Sequence, residues 1–181
     1  MFLVALALVG CSGGGPRART GDRLPYTTPQ ARETLSPGEP CPRPRGRSVH
    51  SDLGLAFGDG PVYAILTGAP QDTGVGLVRY GAAASNANGA AVKVLWVWDG
   101  RYNGGVLVRG RRIDAPGSIP IEAEPPAQAA GATVTFPGGE PLDRSGWHVW
   151  GSTARFGAAG CYAFLVDGIG FSSSIVFEAA P

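Results

Sequence analysis

From Val49 onward, short apolar stretches recur between clusters of Gly, Pro, Asn and Asp, and no window holds a sustained helical period. A chain punctuated in this way can bury its apolar residues only as short strands joined by turns, so it predicts an all-β domain with antiparallel pairing. The expected strands are 62–67, 76–80, 91–98, 106–109 with a continuation to 113, 118–121, 132–136, 148–152, 161–166 and 171–178. That many short strands without helices favour an antiparallel β-sandwich over a helical or α/β fold.

Two segments carry the most local information. At the C-terminal end, the run Cys161-Tyr162-Ala163-Phe164-Leu165-Val166 is followed by Asp167-Gly168-Ile169-Gly170 and a second β-prone run from Phe171 to Phe177. Asp-Gly between two such runs predicts a hairpin turn. The two-residue period of a strand then puts Phe171, Ser173, Ile175 and Phe177 on one, inward face. In Val92-Lys93-Val94-Leu95-Trp96-Val97-Trp98, the same period separates Val92, Val94, Trp96 and Trp98 from Lys93, Leu95 and Val97. Both faces are mainly apolar, which predicts a central strand. Trp96 is then the expected counterpart of the core tryptophan that packs near the disulfide of immunoglobulin-like sandwiches.

The first residues are of a different kind. Phe2 to Val9 consist only of Phe, Leu, Val and Ala, too few to span a bilayer but enough for the core of an export signal. Leu8-Val9-Gly10-Cys11 reads as a lipobox, with lipid attached to the Cys11 thiol and cleavage before it, so residues 1–10 are an expected signal peptide. No Lys or Arg precedes the apolar run, and a start further upstream would supply one. The competing reading is an ordinary secretory signal cut at another small residue. Cysteine parity favours the lipobox: of 3 cysteines, lipidation of Cys11 leaves Cys41 and Cys161 to pair in an oxidising compartment. Two separate buried thiols are the alternative for that pair.

Residues 11–48 are rich in Gly, Pro, Arg and Thr and predict a flexible, lipid-anchored linker ahead of a domain over 49–181. Arg17, Arg19, Arg23, Arg32, Arg43, Arg45 and Arg47 outnumber the acids there, which suits anionic headgroups, although a solvated spacer explains the composition as well. The whole chain has a net charge of only +1, so nucleic acid is not an expected partner.

Cys41-Pro42, Lys93-Val94-Leu95-Trp96, the strand from Val106 through Arg109-Gly110-Arg111-Arg112-Ile113-Asp114, and Gly160-Cys161-Tyr162 before a terminal hairpin form a path along most of the chain after Cys41. In this path the chain resembles a group of uncharacterised bacterial exported proteins that end in a similar Gly-Cys-aromatic strand and short hairpin. The resemblance implies a fold and an envelope location, but no activity. Position 159, where immunoglobulin domains carry their corner tyrosine, is Ala159.

Chemistry-bearing residues are few. His50 and His148 are the two histidines, and neither has diagnostic spacing for a triad or a metal site. His50-Ser51-Asp52 groups a base, a hydroxyl and a carboxylate, but neighbours in an extended chain point in alternate directions. Copper chemistry on a sandwich uses an axial Met, and Met1 lies inside the signal. Glu122 and Glu124 share a strand face, while Trp98, Tyr102, Trp147 and Trp150 are candidates for an aromatic sugar platform. The sequence therefore leads us to expect a non-catalytic envelope lipoprotein without a cofactor. It would be bound to the membrane through Cys11 and would engage a protein or glycan ligand. The rivals are a hydrolase using His148 or His50 and a carbohydrate-binding module using exposed tryptophans.

Overall fold

The computed structural model describes residues 34–68, 74–81, 85–86, 89–125, 127–137, 140–141 and 146–181. These residues contain no helix and form twelve strands. The strands are β1 (Val62–Leu66), β2 (Leu77–Arg79), β3 (Ser85–Asn86), β4 (Gly89–Trp98), β5 (Val106–Arg112), β6 (Ile121–Ala123), β7 (Gln128–Ala130), β8 (Thr133–Phe136), β9 (Glu140–Pro141), β10 (His148–Phe156), β11 (Gly160–Gly168) and β12 (Phe171–Ala180). One sheet runs β1-β4-β10-β6, with β3 added to β4 and β9 to β10; the other runs β2-β12-β11-β5-β8-β7. All pairs are antiparallel except β2 with β12. The all-β expectation is met, in a β-sandwich-like form.

Backbone bonds join the two sheets along both sides. Arg79 N–H donates to Gly68 O (2.9 Å), and Ile121 N–H donates to Gly131 O (2.8 Å). At the second seam the segment leading into β6 crosses tightly over β5. A Cβ on Gly110 would meet Ile119 Cβ at 2.7 Å and its carbonyl at 2.9 Å, so the crossing requires glycine.

Between the sheets lies one aromatic core. From β4 it takes Val92, Val94, Trp96 and Trp98, the face the alternation predicts, and opposite them stand Phe136, Phe164, Ile175 and Phe177. Trp96 is fully buried, 5.0 Å from Phe164 and 6.1 Å from Phe136 between ring centres, and its indole N–H donates to Ser152 Oγ (2.9 Å). The other face of β4 is covered too. Val97, with Ala56 and Ile65, forms a second cluster against Val49, Leu53, Leu95 and Trp147. This explains how a strand apolar on both sides sits next to the surface.

The terminal hairpin forms, but its turn lies two residues later than Asp-Gly. Gly168 pairs with Phe171 inside the sheet, so Ile169 and Gly170 make the connection, and Gly170 supplies a positive φ of 82°. Gly168 is needed for space. A Cβ there would fall 2.2 Å from Phe171 Cε1 and 2.4 Å from the Tyr102 hydroxyl.

Residues expected to be linker make contacts with the domain. Leu35 N–H donates to Ile113 O (2.9 Å), Arg45 bridges to Val75 and Arg47 to Ala56. The expected strand at 118–121 is displaced to β6, with Ser118 and Ile119 serving as the crossover.

Candidate functional site

Cys41 and Cys161 are joined by a disulfide with a Cα–Cα distance of 5.4 Å. Its position corrects the expectation for Trp96. Along β11, Tyr162, Phe164 and Val166 enter the main core, whereas Cys161 and Ala163 belong to a cluster on the opposite face with Ile113, Leu35, Cys41 and Val176. The disulfide therefore fastens the N-terminal strap to the outside of the second sheet, and Trp96 packs on phenylalanines instead. Cys11 lies outside the described residues.

The two histidines are not brought together. His148 faces inward and stacks on Trp98 (5.8 Å, 25°), half-buried as a structural residue would be. Trp147, its neighbour on the outer face, meets the His50 ring edge-on at 5.8 Å. Ser51 Oγ donates to Asp52 (3.0 Å), and Asp52 N–H donates to His50 Nδ1 (3.2 Å). These contacts make a local turn in which the carboxylate holds the serine and the imidazole accepts from backbone, not a relay from hydroxyl to imidazole. Among the described residues, no group of three or more His, Cys, Asp or Glu side chains is placed to hold a metal.

The proposed sugar platform is also dispersed. Trp98 is fully buried, which removes it as a surface platform. Tyr102 packs edge-on against Phe171, and its hydroxyl donates to Gly105 O (2.6 Å) while accepting from Ile169 N–H (3.0 Å). Trp150 packs on Phe136, with its indole nitrogen buried.

Among the described residues, a groove lies on each outer face. The first, about 470 Å³, has Leu95 and Gly151 at its base, with Glu122, Glu124, Lys93 and Trp150 around them. The two glutamates do share a groove, but Glu122 is engaged by Arg155 (2.7 Å), whose hydrogen bond holds the carboxyl below its usual range.

The second groove, about 620 Å³, lies over β5 and β11 and is lined by Arg109, Arg111, Arg112, Asp114, Leu165 and the strap residues Thr34 and Leu35. Sequence reasoning missed these arginines, although the two-residue period of β5 already puts Arg109 and Arg111 on one face. Arg109 is ion-paired with Asp167, a buried carboxylate that also accepts from Ser172 Oγ (2.6 Å). Arg112 donates through Nε to Asp114 (2.6 Å) and through Nη2 to Ala159 O (3.0 Å), and it lies 5.8 Å over the Tyr162 ring. The Arg112 hydrogen bond pulls the Asp114 carboxyl below the ordinary carboxylate range, against the opposing effect of burial.

A carboxyl held below its unfolded value stabilises the fold fully above the unfolded pKa of about 4, and that contribution fades as pH falls through the lower folded value. Thermal midpoints measured from about pH 5 down to about pH 2 are therefore expected to fall less steeply in Asp114→Asn than in the native chain. Identical acid slopes would remove Asp114 from the acid response.

Comparison of the chain with protein-family models, curated proteins and solved structures finds no match.

Proposed function

We propose that this protein is a lipid-anchored binding module of the cell envelope. It is tethered on the extracytoplasmic side through Cys11, and it acts by engaging a protein or glycan ligand rather than by catalysis. The observation that carries this proposal is the Cys41–Cys161 disulfide. Such bonds persist where the compartment is oxidising. With two of 3 cysteines paired, Cys11 is left as the one thiol for modification, at the end of an apolar segment and after a small residue. Grooves on both outer faces of a closely packed β framework offer binding surfaces. The immunoglobulin-like type belongs to the same proposal. Two facing sheets and a buried tryptophan on a central strand support it, while a disulfide outside the core departs from the usual arrangement.

The test is metabolic labelling of the exported full chain with an alkyne fatty acid, followed by detergent phase partitioning. The native chain is expected to carry label and enter the detergent phase. Cys11→Ala is expected to carry none and to stay in the aqueous phase. Label retained in Cys11→Ala, or an unlabelled native chain in the aqueous phase, would overturn the anchor.

A further inference from the structure

We propose that residues 34–43 are a strap latched by the Cys41–Cys161 bond, and that a dithiol reductant opens it while the two sheets stay folded. Control of this face is a property beyond the binding-module reading and does not depend on the lipid at Cys11.

A disulfide that tied two sheets through their core would be lost only with the fold. This one lies on the outer face of the second sheet and joins β11 to the strap. Trp96, Phe136, Phe164 and Phe177 pack between the sheets without it.

Little else holds the strap. Among the described residues, its remaining polar ties to the sandwich are Leu35 N–H to Ile113 O (2.9 Å) and the ion pair of Arg43 with Glu178 (2.5 Å), in which the arginine side chain is 49% exposed. Leu35 adds its packing in the cluster of Ile113, Ala163 and Val176. The turn within the strap bonds to itself: Glu39 N–H donates to Ser36 O (3.0 Å), and Ser36 N–H donates to Glu39 Oε2 (2.9 Å). One backbone bond and one exposed ion pair contribute little net stability, while every residue held in place costs backbone entropy. From Pro44 on, the chain is woven into the domain. Gly76 N–H donates to Pro44 O (2.9 Å), and Arg47 and Ala56 exchange both backbone bonds (2.9 Å each). The strap therefore hinges at Pro44.

The bond is also open to exchange from one side. Cys41 is half-buried, whereas Cys161 is 2% exposed, so an incoming thiolate reaches Cys41 Sγ. Attack there forms a mixed disulfide and expels Cys161 as a thiolate, which takes up a proton. The second thiol of the reductant then closes on the first as its own disulfide and releases Cys41, which is protonated in turn. The dithiol is oxidised, the protein bond is reduced, and the electron count balances. Once the strap swings away, Thr34 and Leu35 leave the wall of the groove of about 620 Å³. Ile113 and Ala163, both buried under the strap, then face solvent. An oxidising compartment keeps the latched form at rest.

The experiment uses the full chain with Cys11→Ser, so that no third thiol exchanges, before and after dithiothreitol, with free thiols counted to follow reduction. Hydrogen exchange read by mass spectrometry reports local opening. On reduction, the segments around Leu35 and Ile113 are expected to lose protection, while β4 and β10 keep theirs. Adding Cys41→Ser and Cys161→Ser should give the pattern of the reduced chain with or without dithiothreitol. Loss of protection in β4 and β10 together with the strap would make the bond part of the fold and overturn the latch. A reduced chain whose strap stays protected, or a bond that dithiothreitol leaves intact in the folded chain, would overturn it as well. Failure of the Cys11 labelling would remove the anchor and leave these results unchanged.

Discussion

Replacing Cys41 and Cys161 together by serine is expected to lower the unfolding free energy by about 5 kcal/mol, among the largest effects available to a single linkage in this fold. The bond spans a sequence separation of 120, and a cross-link over so long a loop removes much of the freedom of the unfolded chain. Against a total stability of about 5–15 kcal/mol for an ordinary domain, such a loss is a large fraction. The native side adds to it. Cys41 and Cys161 sit within the cluster of Ile113, Ala163, Leu35 and Val176, so opening the bond also loosens the strap from the outer face. Urea titration of the oxidised native chain and the double variant is the measurement. A lower midpoint with a steeper slope is expected, because the unlinked chain exposes more surface when it unfolds. An unchanged midpoint would mean that the packing of the strap alone holds this face.

The disulfide also shows what a sequence yields and what it withholds. Parity pointed to the pair, because reading Leu8-Val9-Gly10-Cys11 as a lipobox leaves Cys41 and Cys161 to join. Its side of the sheet was also legible: Tyr162, Phe164 and Val166 alternate with Cys161, Ala163 and Leu165, and the bulkier set claims the core. The analogy with an inter-sheet bridge near Trp96 overrode that alternation and failed. At the hairpin, local turn propensity lost to tertiary need. Asp167 is required inside the sheet, where its carboxylate reaches Arg109 on the neighbouring strand, and Gly168 must admit the rings of Tyr102 and Phe171. Strand β7 has no apolar face to announce it; Gln128, Ala129 and Ala130 are all exposed and are held by backbone pairing with β8. The arginine groove was half visible in the period of β5. Its acids come from elsewhere, Asp167 from β11 and Asp114 from the loop after β5, and its rim comes from the strap, so only the folded chain assembles it.

Trp96→Ala is expected to cost about 4–5 kcal/mol, at the upper end of the range for large aromatic truncations in a core. The indole is wholly buried between the two sheets and touches rings from both β8 and β11, so no neighbouring side chain can relax outward to fill the space it leaves. The substitution also removes the donor to Ser152 Oγ, on a residue only 8% exposed, and an unsatisfied buried polar group carries its own cost of about 1–3 kcal/mol. Trp96→Phe separates the two contributions, because it keeps most of the ring volume and loses only the N–H. It should fall between the native chain and Trp96→Ala, and adding Ser152→Ala to Trp96→Phe should recover part of the loss, since neither partner of the hydrogen bond then remains. Urea midpoints for the four chains form the cycle. If Ser152→Ala costs as much in the Trp96→Phe background as in the native one, the bond contributes nothing beyond packing. If Trp96→Ala costs less than about 2 kcal/mol, below the range for such truncations, then the core does not depend on the tryptophan at its centre, and the sheets are held chiefly by Phe136, Phe164 and Phe177.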